Sequence, residues 1–255
     1  MLSAQQVIAR SDYHLAFETL TDDTLNHPAD FRFVRERRMD AMILAGPDVL
    51  AGFITAMLNT RLPVVLVDNR LEFSPANCIN SDDETGACFA AQHLLNLGHR
   101  GIGVIAGPAA WASTQRRVWG YQRALDAQGI KAYVVHVGET TIESGREAYR
   151  RLSAAHPEIT AICAVNDSMA IGAIREARAQ GKRIPEDLSV VGFDDISWAE
   201  LNDPPLTTVR IPRQQMGKEA AHRVLMLLHN PDLLASEILV PVSMVERHST
   251  THPRR

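Results

Sequence analysis

Residues 161–195, AICAVNDSMAIGAIREARAQGKRIPEDLSVVGFDD, carry the pattern that decides the fold. An apolar run covers 161–165, apolar residues then recur every three to four positions over 168–180, and a second apolar run covers 188–193. Gly181 stands where such a helix would end, since glycine readily adopts the left-handed conformation that follows a helix. This order predicts a strand, a helix and a second, parallel strand.

The same alternation extends over most of the chain. The apolar runs are short, rich in Val and Ile, and apolar at both alternating positions, which is typical of strands covered on both faces. Four more such runs lie at 41–45, 63–67, 102–106 and 133–137. Helical spacing recurs over 85–97 and 121–128, each stretch ending at a glycine. The predicted fold class is therefore α/β, with doubly wound parallel sheets.

Composition and charge narrow the class of protein. The chain has 255 residues, of which 45% are hydrophobic and 22% charged, as in an ordinary globular protein of one large or two small domains. A net charge of −4 offers no general attraction to nucleic acid. No apolar run reaches the length of about 18 residues that a membrane span needs, and the first residues do not resemble a secretory signal. We therefore expect a cytoplasmic protein whose three cysteines are reduced and mostly buried.

Motifs that would indicate an enzyme are not found in the sequence. It contains no phosphate-binding loop, nucleophile elbow or paired-histidine metal motif. The glycines of 101–107 are spaced somewhat like a dinucleotide fingerprint, but they fall inside a predicted strand and not in the turn after it. The basic stretch 31–38 is interpreted as a solvated helix face. We predict a protein that is not an enzyme and that holds no cofactor or metal.

Polar residues follow several predicted strands. Ligands of open parallel sheets bind beyond the carboxyl ends of the strands, so these residues are candidates for a binding site. They are Asp68-Asn69-Arg70, Asn166-Asp167 and Asp194-Asp195. Donors and acceptors are both present, but no set forms a known catalytic arrangement.

Six segments resemble those of LacI/GalR-type transcriptional regulators, and they occur in the same order as in that family. Residues 161–172, with Asn166-Asp167 and Gly172, are similar to the family's Asn-Asp segment, and 184–195 are similar to the signature that precedes its last crossing between subdomains. The other four segments are 93–100, 117–121, 203–209 and 245–250. The resemblance covers the chain from about Asp40 onward.

The resemblance implies two similar α/β subdomains, joined by three crossings, with a ligand held in the cleft between them. The expected N-terminal subdomain comprises 1–107 and 208–235, and the C-terminal subdomain comprises 108–207 and 236–255. A helix over 212–229 is expected to belong to the first subdomain.

The start of the chain departs from the family pattern. Residues 2–10 resemble the latter half of the first helix of the family's core, and 13–17 resemble its second strand. By this alignment we expect the helix-turn-helix head, the hinge and the first strand to be absent. Loss of that strand should expose two unpaired sheet edges.

The function that the resemblance implies is effector sensing in a repressor. A small molecule would close the cleft and change the spacing of the two DNA-binding heads in a homodimer, so operator DNA would be contacted only through those heads. The effector is predicted to be a sugar or sugar derivative, while a purine or a sugar phosphate remains an alternative. A periplasmic sugar-binding protein of the same fold and an enzyme on an α/β scaffold are the competing classes.

Three polar residues are the main candidates for ligand contacts. Arg117 matches a ligand-binding arginine of the family, and its planar guanidinium suits vicinal hydroxyls or a carboxylate. Asp194 can accept two hydroxyl donors, and Asn166 can both donate and accept. The alternatives are a solvated helix arginine (with Arg116 equally eligible), a turn cap and a local turn hydrogen bond.

Further candidates lie in the loops. Trp198 and Trp111 follow predicted strands and could stack on a sugar ring or pack between subdomains. Asp82 matches a family position that can face the cleft, and it could equally cap the following helix. Asp167 is predicted to be a helix cap and Trp119 a core residue.

Overall fold

The computed structural model describes residues 2–36, 38–69 and 76–254. Its helices are α1 (Leu2–Ile8), α2 (Asp22–Asn26), a 3-10 turn (Pro28–Asp30), α3 (Arg32–Arg35), α4 (Ala51–Leu58), α5 (Asp83–Asn96), α6 (Ala112–Asp126), α7 (Ile142–Ala155), α8 (Asp167–Ala179), α9 (Ser197–Leu201) and α10 (Arg213–His229).

The strands alternate with these helices along the chain. They are β1 (Met42–Ala45), β2 (Val64–Val67), β3 (Asn77–Ser81), β4 (Ile102–Ala106), β5 (Tyr133–His136), β6 (Ala161–Ala164), β7 (Ser189–Asp194), β8 (Thr207–Arg210), β9 (Glu237–Val240) and β10 (Ser243–Val245). The predicted α/β class is confirmed, and each of the six apolar runs named above overlaps a strand.

The chain divides into two compact units. Unit 1 comprises Met1–Ser81 and Pro212–Val240, and unit 2 comprises Asp82–Ile211 and Pro241–Arg255. In unit 1 the strands form one parallel sheet in the order β1-β2-β3-β9. Helices α1 and α10 pack together through Ala4, Ile8 and Ala221. Helix α10 lies in unit 1, where the sequence predicted it.

Unit 2 contains a six-stranded sheet in the order β10-β8-β7-β6-β4-β5. Every pairing is parallel except that of β10 with β8. Strands β4 and β6 are buried along their whole length, as expected for strands covered on both faces. The glycines that end α5 and α8, Gly98 and Gly181, have positive φ angles of 93° and 82°. The sequence-based helix ends are therefore confirmed.

The division between units differs from the predicted one. Residues 82–107 belong to unit 2 and not to the N-terminal subdomain, because β4 pairs with β5 and β6. Residues 208–211 also belong to unit 2, since β8 pairs with β7. Residues 236–240 belong to unit 1, where β9 extends the sheet beside β3. Strand pairing, which apolar runs do not specify, sets these boundaries.

The strand predicted over 13–17 is not formed. A strand requires a neighbour that satisfies its backbone groups, and none of the described residues pairs with this segment. The alternating side chains of Tyr13 and Leu15 pack instead near α1 and α10. In the basic stretch 31–38, only the four residues of α3 are helical in the described part. Arg70, named above as a polar residue after a strand, lies outside the described residues.

Candidate functional site

The carboxyl edge of the sheet in unit 2 brings together side chains that are far apart in sequence. Strands β4, β6 and β7 are parallel, so the segments that follow them begin at the same edge. The segment after β6 carries Asn166, the end of β7 carries Asp194, and α6, which follows β4, carries Arg117. Hydrogen bonds connect these segments and the first turn of α5.

Arg117 is the centre of this cluster. Its side chain is 7% exposed, its Nε donates to Asp83 Oδ1 at 2.8 Å, and its Nη1 donates to Asp194 Oδ1 at 3.1 Å. Nη1 also donates to the carbonyl of Val165 at 2.6 Å, at the end of β6. The guanidinium carbon lies 3.9 Å from the centre of the Phe193 ring, a cation–π contact. The alternative of a solvated helix arginine is therefore wrong.

The local sequence explains why Arg117 points inward. It lies on the buried face of α6 together with Thr114, Val118, Tyr121 and Leu125, which are spaced by three or four residues. A buried guanidinium is stable only when it is paired, and Asp83, whose side chain is 3% exposed, supplies a buried carboxylate. The ion pair thus fixes α6 against α5.

Asp194 is the most accessible member of the ion-paired cluster, with a side chain that is 24% exposed. Its φ is +107° and that of Asp195 is +50°, so two successive residues other than glycine occupy the left-handed side of the φ range. Asp195 accepts hydrogen bonds from Arg210 Nε at 2.6 Å and Arg247 Nη2 at 2.7 Å. Burial acts to raise the pKa of Asp195, but these two arginines outweigh it and hold the pKa below its ordinary value.

The helix cap after β6 is Asn166 and not, as predicted, Asp167. Asn166 Oδ1 accepts from the backbone N–H of Met169 at 2.8 Å, and its Nδ2 donates to the carbonyl of Thr140 at 3.2 Å. An Asn-Asp pair offers two capping residues, and the extended backbone at Asn166 selects the first. Asn166 thus makes the local hydrogen bond that was its alternative interpretation, and its contact with a ligand stays a prediction.

Asp167 is the first residue of α8 and is fully buried. Its Oδ1 accepts from Thr208 Oγ1 at 2.5 Å, and its Oδ2 accepts from the backbone N–H of Ile196 at 2.8 Å. Burial, only partly offset by these two hydrogen bonds, raises the pKa of Asp167 to about 7, and the charges of Asp194 and Asp195 act in the same direction.

The remaining predicted residues lie at the starts of helices or on the surface. Asp82 caps α5 by accepting from Thr85 N at 3.2 Å, which was its alternative interpretation. Trp111 is partly exposed immediately before α6. Trp119 is 61% exposed, so its prediction as a core residue is wrong; it lies off the buried face of α6. Ligand contacts by Asp82 and Trp111 remain predictions.

Trp198 lies in α9, is 66% exposed, and lines a surface groove of about 410 Å³. The groove is formed by the start of α7, one face of α8, and α9. Its lining residues are Ile142, Ser168, Ile171, Ile174, Arg175, Arg178, Ile196, Trp198, Leu201, Asn202 and Asp203. Arg117 and Asp194 do not line it, so the structure does not bring Trp198 into their hydrogen-bonded cluster.

Sequence reasoning missed two members of the cluster, Asp83 and Phe193. The signal for Asp83 is present in α5, where Asp83, Gly86, Ala87, Ala90 and Leu94 form one buried stripe of helical spacing. An acid in such a stripe must find a buried cation. In the sequence, Phe193 has the pattern of an ordinary core residue. Only the tertiary structure shows that a guanidinium lies over its ring.

In the described ranges, no group of three or more His, Cys, Asp or Glu side chains is arranged to hold a metal ion. The thiols of Cys78, Cys88 and Cys163 are not in disulfide bonds, and two of them are buried, as predicted. Within the same ranges, no helix combines the length and the apolar character needed to cross a bilayer.

Comparison with known proteins assigns the chain to a family. Residues 91–250 match the model of the periplasmic binding protein-like domain. The chain is 31% identical to the HTH-type transcriptional regulator DegA of Bacillus subtilis, over 98% of this chain and 73% of the relative. The chain belongs to the family of LacI-type transcriptional regulators and contains their periplasmic binding protein-like domain, as the sequence resemblance predicted.

Solved structures agree with this assignment. The structure of the transcriptional regulator CelR–cellobiose complex superimposes with a TM-score of 0.89 at 26% identity, covering 97% of this chain and 77% of that one. A LacI family transcriptional regulator from Enterococcus faecium with bound ribose superimposes with a TM-score of 0.84 at 25% identity, covering 98% and 92% of the two chains.

Proposed function

We propose that this chain is the effector-sensing domain of a bacterial transcriptional repressor, and that its effector is an uncharged sugar bound at Arg117 and Asp194. The observation that carries the proposal is the fixed Arg117–Asp194 pair at the carboxyl edge of the sheet, where an open parallel sheet binds ligands. The proposed coupling is allosteric: the sugar must bind one conformational state of the regulator better than another. Operator DNA would be bound through a helix-turn-helix head.

The charge of the cluster supports an uncharged ligand. Arg117 is already paired with two carboxylates, Asp83 and Asp194, and the more accessible of these is the negatively charged Asp194 side chain. A phosphate or carboxylate would have to approach Asp194 against this charge. Sugar hydroxyls donate hydrogen bonds to a carboxylate without that penalty. The neutral sugars named with the two similar structures, cellobiose and ribose, agree with this choice.

A calorimetric titration tests the proposal. Cellobiose, ribose and glucose would be compared with glucose 6-phosphate and adenine, and we expect binding by at least one neutral sugar but not by the phosphate. Asp194→Asn keeps the shape and removes the charge, and should weaken the binding of that sugar by about ten-fold or more. Asp126→Asn, on the exposed surface of the same unit, is the matched control and should bind as wild type.

Either of two results would overturn the proposal. Tighter binding of the phosphate than of every neutral sugar would contradict the charge argument. Unchanged affinity in Asp194→Asn would place the ligand elsewhere.

We also propose that the chain forms a homodimer through the groove around Trp198. The exposed Trp198 and Leu201 project beside an apolar trough formed by Ile171 and its neighbours, so one surface offers both a projection and a recess. A two-fold axis places such a surface against its own copy. Trp198 is thereby assigned to the dimer and not to the ligand.

Sedimentation velocity at micromolar concentration tests this assembly. Wild type should sediment as a dimer and Trp198→Glu as a monomer, because the charge would be buried in the contact. Trp119→Glu is the matched control, since Trp119 is almost equally exposed on the same unit. A dimer that survives Trp198→Glu, or that is lost equally in Trp119→Glu, contradicts this location.

A regulator that binds operator DNA must be in the same compartment as the bacterial chromosome, so we propose a cytoplasmic location. We also propose that the site binds without catalysing a reaction. The similarity to HTH-type regulators supports both proposals and favours them over a periplasmic binding protein or an enzyme. A neutral sugar recovered unchanged after prolonged incubation with the protein would agree with binding alone, and its turnover would contradict it.

A further inference from the structure

The turn that presents Asp194 is held in a strained conformation. Asp194 and Asp195 both have positive φ angles, +107° and +50°, although neither is glycine. Such conformations persist only when the surrounding structure fixes them, and they concentrate at functional sites. The contacts that hold residues 194–196 therefore determine where the Asp194 carboxylate points.

Three tethers hold this turn. Asp194 is bound by Arg117, and Asp195 is bound by Arg210 and Arg247. The third tether is the hydrogen bond from the backbone N–H of Ile196 to Asp167 Oδ2, at 2.8 Å. It differs from the other two because it acts on the backbone and because its acceptor is fully buried.

The Asp167 carboxyl is itself fixed on its other side. Gly192 of β7 and Thr208 of β8 are register partners in the sheet, and both lie against Asp167 Oδ1. Thr208 Oγ1 donates to this oxygen at 2.5 Å, and a Cβ at Gly192 would lie only 2.2 Å from it. One carboxyl group thus connects the start of α8, two adjacent strands and the turn.

We propose that Asp167 is a positioning residue: by anchoring Ile196 N–H to Thr208, it holds the 194–196 turn so that Asp194 faces Arg117 and the ligand. This inference rests on the proposed function in one respect. Loss of the anchor is expected to weaken sugar binding, although no ligand contact is removed. Its structural part, the restraint of the turn, is independent of any ligand.

Variants of the anchor separate positioning from general stability. Asp167→Ala removes the acceptor for Ile196 N–H. Asp167→Asn retains an oxygen for that N–H and an amide that can donate to Thr208, so it should rescue the turn. The matched control is Ser249→Ala: the buried Ser249 hydroxyl donates to Val190 O at 2.6 Å and accepts from Thr207 N at 2.9 Å, thereby joining β7 and β8 away from the turn.

Hydrogen exchange measured without added sugar is the first test. We expect peptides that cover 192–199 to exchange about ten-fold faster in Asp167→Ala than in wild type, because local opening becomes easier. Asp167→Asn should match wild type, and Ser249→Ala should lose stability without faster exchange in these peptides. Unchanged exchange in Asp167→Ala would overturn the proposal. If Asp167→Ala does not fold, Gly192→Ala, whose methyl would displace Asp167 Oδ1, takes its place with the same expectation.

Titration with cellobiose and ribose is the second test. The sugar that binds wild type should bind Asp167→Ala about ten-fold more weakly, while Asp167→Asn and Ser249→Ala keep its affinity. Unchanged affinity together with a loosened turn would overturn the positioning role. If neither sugar binds wild type, the proposed ligand class is contradicted, and the exchange result still decides whether Asp167 restrains the turn.

Discussion

The two edges of the sheet in unit 2 each carry a buried polar cluster, and the clusters differ in kind. At the carboxyl edge, Arg117 lies between two carboxylates beside a strained turn. At the amino edge, His99 joins the starts of β6 and β7: its Nδ1 lies 2.8 Å from Thr160 Oγ1, and its Nε2 lies 2.8 Å from Thr251 O and 3.0 Å from Ser189 Oγ.

The two clusters differ as a proposed binding site differs from a structural joint. The His99 cluster is built of uncharged partners, and the ring is almost completely buried. The Arg117 cluster is charged, strained and open at Asp194. A cluster that only stabilises the fold needs no exposed member, whereas a site must leave one accessible for a ligand.

The largest expected effect is that of Arg117→Ala. Removal of the guanidinium leaves two carboxylates without their buried cation, so the free energy of unfolding should fall by about 3–5 kcal/mol. Sugar binding should be lost in the same variant. Urea unfolding monitored by circular dichroism measures the first effect and calorimetry the second. A loss below about 1 kcal/mol would show that the ion pairs are dispensable for stability.

His99→Ala should affect stability alone. It removes the partner of Thr160, Ser189 and the Thr251 carbonyl, so we expect a loss of about 2–3 kcal/mol in the free energy of unfolding. Sugar affinity, measured below the melting temperature, should stay at the wild-type value. A large loss of sugar affinity in His99→Ala would contradict the assignment of the amino edge to stability and of the carboxyl edge to binding.

The two edges should also respond to pH with opposite signs. Burial raises the pKa of Asp167 from 3.8 to about 7 in the folded chain. Its contribution to stability is therefore present below about pH 4 and is lost as the pH rises through about 7. Burial, partly offset by the hydrogen bond to Thr251, lowers the pKa of His99 below 6.5. As the pH falls, His99 is protonated in the unfolded chain at a higher pH than in the folded chain. Stability is therefore lost as the pH falls below about 6.5.

Differences between wild type and variants isolate these two contributions. Between pH 4 and pH 8, the unfolding free energy of wild type should fall relative to that of Asp167→Asn as the pH rises, because the asparagine does not titrate. Wild type should lose stability relative to His99→Gln as the pH falls below about 6.5. Parallel curves for either pair would contradict the corresponding assignment.

The smallest effect is expected for Trp119→Gln. Its indole is mostly exposed, so the free energy of unfolding should change by no more than about 0.5 kcal/mol. Thermal unfolding of both proteins measures it. A loss of several kcal/mol would restore the core role that the sequence suggested.

Some elements could be predicted because their signals are local. The apolar runs of β4 and β6, and the glycines that end α5 and α8, are visible in short windows of sequence. Strand β3 was missed because its residues, NCINS, form no apolar run; it becomes a strand through pairing with β2 and β9. The segment 13–17 is the opposite case: its sequence alternates like that of a strand, but it pairs with no strand in the described residues.

The sequence alone determined the α/β class and the family, because periodicity and the order of motifs can be recognised without knowledge of contacts. It also predicted Arg117 and Asp194 as ligand-binding residues. The tertiary structure alone decided the unit boundaries, the pairing of Arg117 with Asp83, and the contacts of Asp167 with Thr208 and Ile196. Each of these features depends on a contact between groups that lie tens of residues apart in the sequence, such as Asp167 and Thr208. The two positive φ angles at Asp194 and Asp195 belong with them, because the sequence alone does not show that two successive aspartates adopt this conformation.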